Sequence, residues 1–136
     1  MKNNLDRAIC ELKKGAYTCV LCKDESIYTS TERGVIPLLD FLESDIDFSG
    51  FSAADKTVGN AAAYLYVLLG VKEVYSNVMS KSAEKTLSEN GIDNQCEIIT
   101  THIINRTGTG FCPMEEAVKN AKTPEDALVL IKARLN

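Results

Sequence analysis

Ser52-Ala53-Ala54-Asp55-Lys56-Thr57-Val58-Gly59-Asn60-Ala61-Ala62-Ala63 is the stretch on which the fold turns. The spacing of Val58, Ala61, Ala62, Leu65 and Leu69 predicts one central helix from about Ala53 to Leu69, ended by Gly70. Ser52 and Asp55 stand at the spacing of a capping box at the start of that helix. Gly59 and Ala63 leave its backbone nearly bare on a second face, which suits close packing on a sheet or against another subunit.

On the N-terminal side, Leu5, Ala8, Ile9 and Leu12 recur at helical spacing behind the polar Asn3 and Asn4, with Gly15 closing the helix. Tyr17 to Cys22 and Ser26 to Thr29 flank the polar turn Lys23-Asp24-Glu25 and read as a hairpin. Gly34 then opens a short helix containing Leu38, Leu39, Phe41 and Leu42, and the polar loop from Ser44 to Gly50 follows. On the C-terminal side, Val71 to Val78 reads as a buried strand, Ser80 to Asn90 as a helix stopped by Gly91, and Cys96 to Ile104 as a strand rich in Ile and Thr. Pro113 sits at a first helical position. Thr123-Pro124-Glu125-Asp126 supplies a cap, a proline and acidic residues to a last helix whose apolar stripe is Leu128, Ile131 and Leu135. An α/β fold results: three layers, α-β-α, around a mixed sheet of about five strands.

The chain has 136 residues, 45% hydrophobic and 25% charged, which suits a single domain over 1–136 with a real core. Its 15 Lys and Arg are scattered among 19 acidic residues for a net charge of -4, so no basic stripe exists to meet a phosphate backbone, and nucleic acid is not an expected partner. No apolar run approaches the roughly 20 residues needed to span a bilayer. A cytoplasmic protein without membrane association is expected. Five cysteines, an odd number without a secretion signal, read as reduced thiols. Cys19 and Cys22 match C-x-x-C, but residues three apart on a strand point to opposite faces, so buried apolar use is expected rather than a metal or redox pair.

The order of elements resembles the cytidine deaminase fold. Zinc deaminases place a His or Cys ligand two residues before a glutamate, and a Pro-Cys-x-x-Cys on the next helix. Ala53-Ala54-Asp55 looks like the first motif, with Ala53 at the ligand position and Asp55 at the glutamate position. Ser76-Asn77-Val78-Met79-Ser80-Lys81-Ser82 looks like the second, with Met79 and Ser82 replacing the cysteines. Ala, Met and Ser are not the strong ligands that catalytic zinc requires, so this resemblance implies a scaffold with neither metal nor other cofactor. Gly50 to Gly59, Ala61-Ala62-Ala63 and Thr109-Gly110-Phe111-Cys112-Pro113-Met114-Glu115 identify the chain as a member of the bacterial family called domain of unknown function 1893, a branch of that superfamily. Membership implies a fold and a pocket position, not an activity.

Within that expected pocket, Asp55 is a candidate general acid-base as well as a cap. Lys56, on a first helical turn, is expected to reach solvent or an anion. Cys112, at a helix N-terminus beside Gly108 and Gly110, is a candidate nucleophile, with Glu115 or Asp55 as its base. Arg106, Thr107 and Thr109 on a glycine-rich loop suit a phosphate or carboxylate. His102, the single histidine, reads as a satisfied strand residue, and Tyr64, Tyr66 and Tyr75 as core or interface. Three functions follow: a metal-free domain binding a small anionic or nucleotide-like ligand through Lys56, Arg106, Thr109 and Glu115; a non-metal enzyme using Cys112 or Asp55; or an interaction module. A homodimer or higher homo-oligomer is expected by resemblance.

Overall fold

The computed structural model describes residues 3–101, 103 and 113–135. The chain opens with α1 (Asn4–Lys13), whose N-cap Asn3 accepts the Asp6 N–H at 2.8 Å. The hairpin follows as β1 (Cys19–Lys23) and β2 (Ser26–Ser30), turning at Asp24 with φ 54°. After α2 (Ile36–Glu43) the described chain alternates as β3 (Ser52–Val58), α3 (Asn60–Leu69), β4 (Glu73–Ser80), α4 (Lys81–Glu89) and β5 (Asp93–Thr100). It ends with α5 (Pro113–Ala117) and α6 (Pro124–Leu135). Asn3, Gly70, Pro113 and Thr123 act where the sequence reading puts them; the Asp126 N–H reaches the Thr123 hydroxyl at 3.1 Å.

The central helix is a correction. Ser52–Val58 is a strand, and the helix begins only at Asn60. Alanine's helix preference is worth less than 1 kcal/mol per residue over most alternatives. Burial between two neighbouring strands outweighs it here. Ser52, Ala53, Ala54 and Asp55 are all buried, paired antiparallel to β1 and parallel to β4, and a strand covered on both faces reads as a near-continuous apolar run. Beyond Asp55 the β1 pairing ends, and Lys56 and Thr57 are exposed. The capping box falls with the helix: Ser52 Oγ donates to Glu73, and Asp55 lies in a strand.

The sheet is mixed and five-stranded, ordered β2-β1-β3-β4-β5. β1 runs antiparallel to both neighbours, while β3, β4 and β5 are parallel. On one face α1 sets Ala8 and Leu12 against Val20, Cys22, Ala54 and Tyr75. The other face carries the larger core, in which Leu21, Ala53, Val74 and Met79 meet Leu38, Leu65, Tyr66, Leu87, Val118 and Ile131. Ala53 and Ala54 therefore serve opposite layers from adjacent positions, and their small size lets helices lie close on both sides. Cys19 and Cys22 likewise belong to opposite layers, as their spacing predicts.

Smaller corrections concern edges and exposure. β4 is displaced by two residues from its expected bounds, with Ser80 capping α4 through the Ala83 N–H at 3.1 Å, and β5 starts three residues before Cys96 and ends at Thr100, while Ile104 lies outside the described residues. In α6 the buried positions are Ala127 and Ile131, whereas Leu135 is exposed. The small-residue face of α3 is spent internally, with Ala61, Ala62 and Ala63 all buried, so it offers nothing to a second subunit.

Candidate functional site

The three parallel strands bring their C-terminal ends to one edge of the sheet, where open α/β sheets carry their crevices. Each strand there hands the chain to a helix or a loop. β3 passes through Gly59 into α3, β4 passes directly into α4 at Ser80, and β5 runs out to Thr101. α5 closes over this edge, and a cleft of about 340 Å³ lies between the parts. α3 lines it with Asn60, α4 with Ser82, the segment after β5 with Thr101 and Ile103, and the α5 region with Glu115, Glu116 and Lys119.

Glu115 organises one wall. Its Oε1 accepts the Asn60 N–H at 2.6 Å and its Oε2 accepts the Ala61 N–H at 2.9 Å, so one carboxylate satisfies two of the orphan donors at the start of α3. Gly59 permits that approach, because a Cβ at this position would lie 2.4 Å from Oε1. Glu115 is the third residue of α5, yet it stabilises a helix 55 residues earlier in the chain. Asn60 is held from the far side as well, its Oδ1 accepting the Thr86 hydroxyl. On the opposite wall the Ser80 and Ser82 hydroxyls lie 3.1 Å apart.

Asp55 lies elsewhere. It is 7% exposed, beneath α3 and on the core side of the sheet, and it does not line the cleft. The Tyr66 hydroxyl donates to its Oδ2 at 2.7 Å, and the Thr57 N–H reaches its Oδ1 at 3.4 Å. The Tyr66 oxygen in turn meets Cys19 Sγ at 3.3 Å. Burial pushes the Asp55 carboxyl up to about 7, against the opposing pull of Tyr66 and the backbone N–H groups of Thr57 and Lys56. Burial also holds the Cys19 thiol and the Tyr66 phenol well above their ordinary ranges.

The structure therefore separates the sequence candidates. Glu115 is in the cleft; Asp55 is in the core; Lys56 is exposed on β3. Arg106, Thr109 and Cys112 lie outside the described residues, as does His102. Ala53 and Met79 are fully buried in the larger core while Ser82 opens on the cleft, so the three positions matched to zinc ligands do not surround one point. Among the described residues no three His, Cys, Asp or Glu side chains gather as a metal-binding group. Asn60, Thr101, Glu116 and Lys119 escaped the sequence reading. Gly59 before Asn60 is a helix-start signal, masked by the alanines on both sides; Thr101, Glu116 and Lys119 carry no local signal at all.

No curated protein matches the chain. In structure it is similar to a DUF1893 family protein (TM1506) from Thermotoga maritima, known from its crystal structure, at 23% identity with a TM-score of 0.87. The match covers 98% of this chain and 92% of that one, and at this identity it speaks for the fold. Residues 7–135 match the family described as TM1506, domain of unknown function (DUF1893), and the chain belongs to that family.

Proposed function

We propose that the domain binds a small anionic or nucleotide-like ligand in the cleft at the C-terminal ends of β3, β4 and β5, on a scaffold of the cytidine deaminase-like kind. One observation carries the reading: the starts of α3 and α4, the Ser82 hydroxyl, Thr101 and Lys119 converge on one concave space of about 340 Å³. That volume lies in the range of small-molecule sites, and a few convergent polar groups on a mostly fixed wall are what such sites use for orientation. Lys119 supplies the positive charge of the lining beside Glu116, the Glu115 carboxylate being taken up by the start of α3, and Ser82 belongs to the first turn of α4, where a helix favours an anion. The hairpin followed by β-α-β-α-β supports the scaffold assignment, although Ala53 and Asp55 lie in a strand and not at the start of the central helix.

Titration calorimetry against nucleotides, nucleosides and nucleobases tests the reading. Binding by the unaltered protein that is lost in Ser82→Asp, which adds bulk and negative charge to the cleft, supports it. Uniform absence of heat across the panel, with no amide shift changes around Asn60, Ser82 and Lys119, removes it. A general acid-base role for Asp55 finds no support, since its carboxyl is closed off from the cleft.

A second reading, self-association, is favoured by β5. It is an edge strand with one neighbour among the described strands, and Ile98 and Ile99 are 59% and 43% exposed. Equilibrium sedimentation tests it: a strict monomer at all concentrations rejects it, and a dimer dispersed by Ile98→Lys supports it.

A further inference from the structure

We propose that Asp55, Tyr66 and Cys19 form a buried protonation device that ties the seating of α3 on the sheet to pH. The buried polar or charged residues among those described are Ser52, Asp55, Ser76 and Ser80, so Asp55 is the one core carboxyl of the described structure. β1 brings Cys19, which pairs with Asp55 across the antiparallel ladder. β4 brings Ser76, its parallel partner. α3 brings the Tyr66 hydroxyl. Its own strand adds the Thr57 N–H, while the Lys56 side chain is exposed. α1 packs on the opposite face, setting Ala8 and Leu12 against Ala54. Among the described residues no cation is paired with the Asp55 carboxyl.

A carboxylate in that position holds one short hydrogen bond from a phenol, one long bond from the Thr57 amide and the pull of the Lys56 N–H, which is itself bonded to the Thr18 carbonyl, and this falls short of what a buried charge needs. The neutral acid suits the site. Tyr66 and Cys19 are themselves held neutral by burial, so the cluster's ionisation falls on Asp55, in keeping with its raised pKa of about 7. The folded protein thus holds the Asp55 proton more tightly than the unfolded chain does. The stability this confers is fully present below the ordinary carboxylate range and is lost as pH rises through about 7. The new charge forms beneath α3, the helix that presents Asn60 to the cleft.

Three measurements against pH on the full chain test this. In the unaltered protein, carbon-13 NMR of the aspartate side chains is expected to show one carboxyl titrating near 7; if every aspartate titrates in the ordinary range, the proposal is overturned. Thermal unfolding from pH 5 to 8.5 is then compared among the unaltered protein, Asp55→Asn and Tyr66→Phe. The unaltered protein is expected to lose on the order of 10 °C more in Tm over this interval than Asp55→Asn does. Parallel profiles overturn the proposal. Tyr66→Phe removes the donor that favours the charged form, so its inflection moves upward in pH; an unmoved inflection argues against the cluster. Amide protection of Leu65 to Leu69, corrected for intrinsic exchange, is expected to fall as the carboxyl ionises, and protection that does not change across the titration rejects the coupling to α3.

Discussion

Gly59 and Glu115 are matched by shape and charge rather than by proximity in the chain. The missing Cβ at Gly59 and the carboxylate of Glu115 occupy the same small volume at the start of α3. Gly59→Ala is therefore expected to expel Glu115 and to destabilise the protein by roughly 1–3 kcal/mol, measured by urea unfolding. Glu115→Ala loses two accepted N–H bonds and a favourable dipole contact, costing about 1–2 kcal/mol. In the Glu115→Ala background the alanine at 59 meets no carboxylate, so its added cost drops well below its cost alone. Simple additivity in this double-mutant cycle would show that the two residues do not share the site. Ser80→Ala gives a separate check: loss of the Ala83 N–H cap predicts about 1 kcal/mol by the same measurement.

Among the elements, β3 shows how burial overrides a local preference. A sequence with five alanines around a single Val reads as helix until its neighbours are known. Ala53 and Ala54, each 0% exposed, belong to the cores on opposite faces of the sheet. Ala54→Leu would push against Ala8, Leu12 and Tyr75, and a loss of roughly 1–3 kcal/mol is expected by urea unfolding. By contrast, Ile98→Thr at the exposed Ile98 of β5 is expected to stay within about 0.5 kcal/mol of the unaltered protein. Equal costs at the two positions would mean that β3 is not the buried centre described. The helices flanking it were legible for a different reason. Asn3, Gly70, Gly91 and Thr123 act through neighbours a few residues away, and such signals survive without knowledge of the fold.

For the domain taken as a unit, its pH response carries the opposite sign to that of a protein held by surface ion pairs. The ion pairs among the described residues, such as Lys14 with Glu11 and Lys85 with Glu89, are solvent-exposed and contribute little. Asp55, with its carboxyl pushed up to about 7, is destabilising once ionised. Unfolding free energy measured in urea is therefore expected to fall by up to a few kcal/mol between pH 5 and pH 8. A free energy that rises over this interval would show that another group dominates. No helix among the described residues is long and apolar enough to cross a membrane.

Residue types at short spacing already determined the opening helix, the hairpin and its turn, the capped helix ends, the opposed faces of Cys19 and Cys22, and the mixed α/β class. Each of these depends on steric and hydrogen-bonding preferences that operate within a few residues. The nature of Ser52–Val58, the burial of Asp55 under Tyr66, and the reach of Glu115 to Asn60 came only with the assembled fold. These features join positions 11 to 55 residues apart, or depend on what covers both sides of a strand, and neither condition leaves a mark in local spacing.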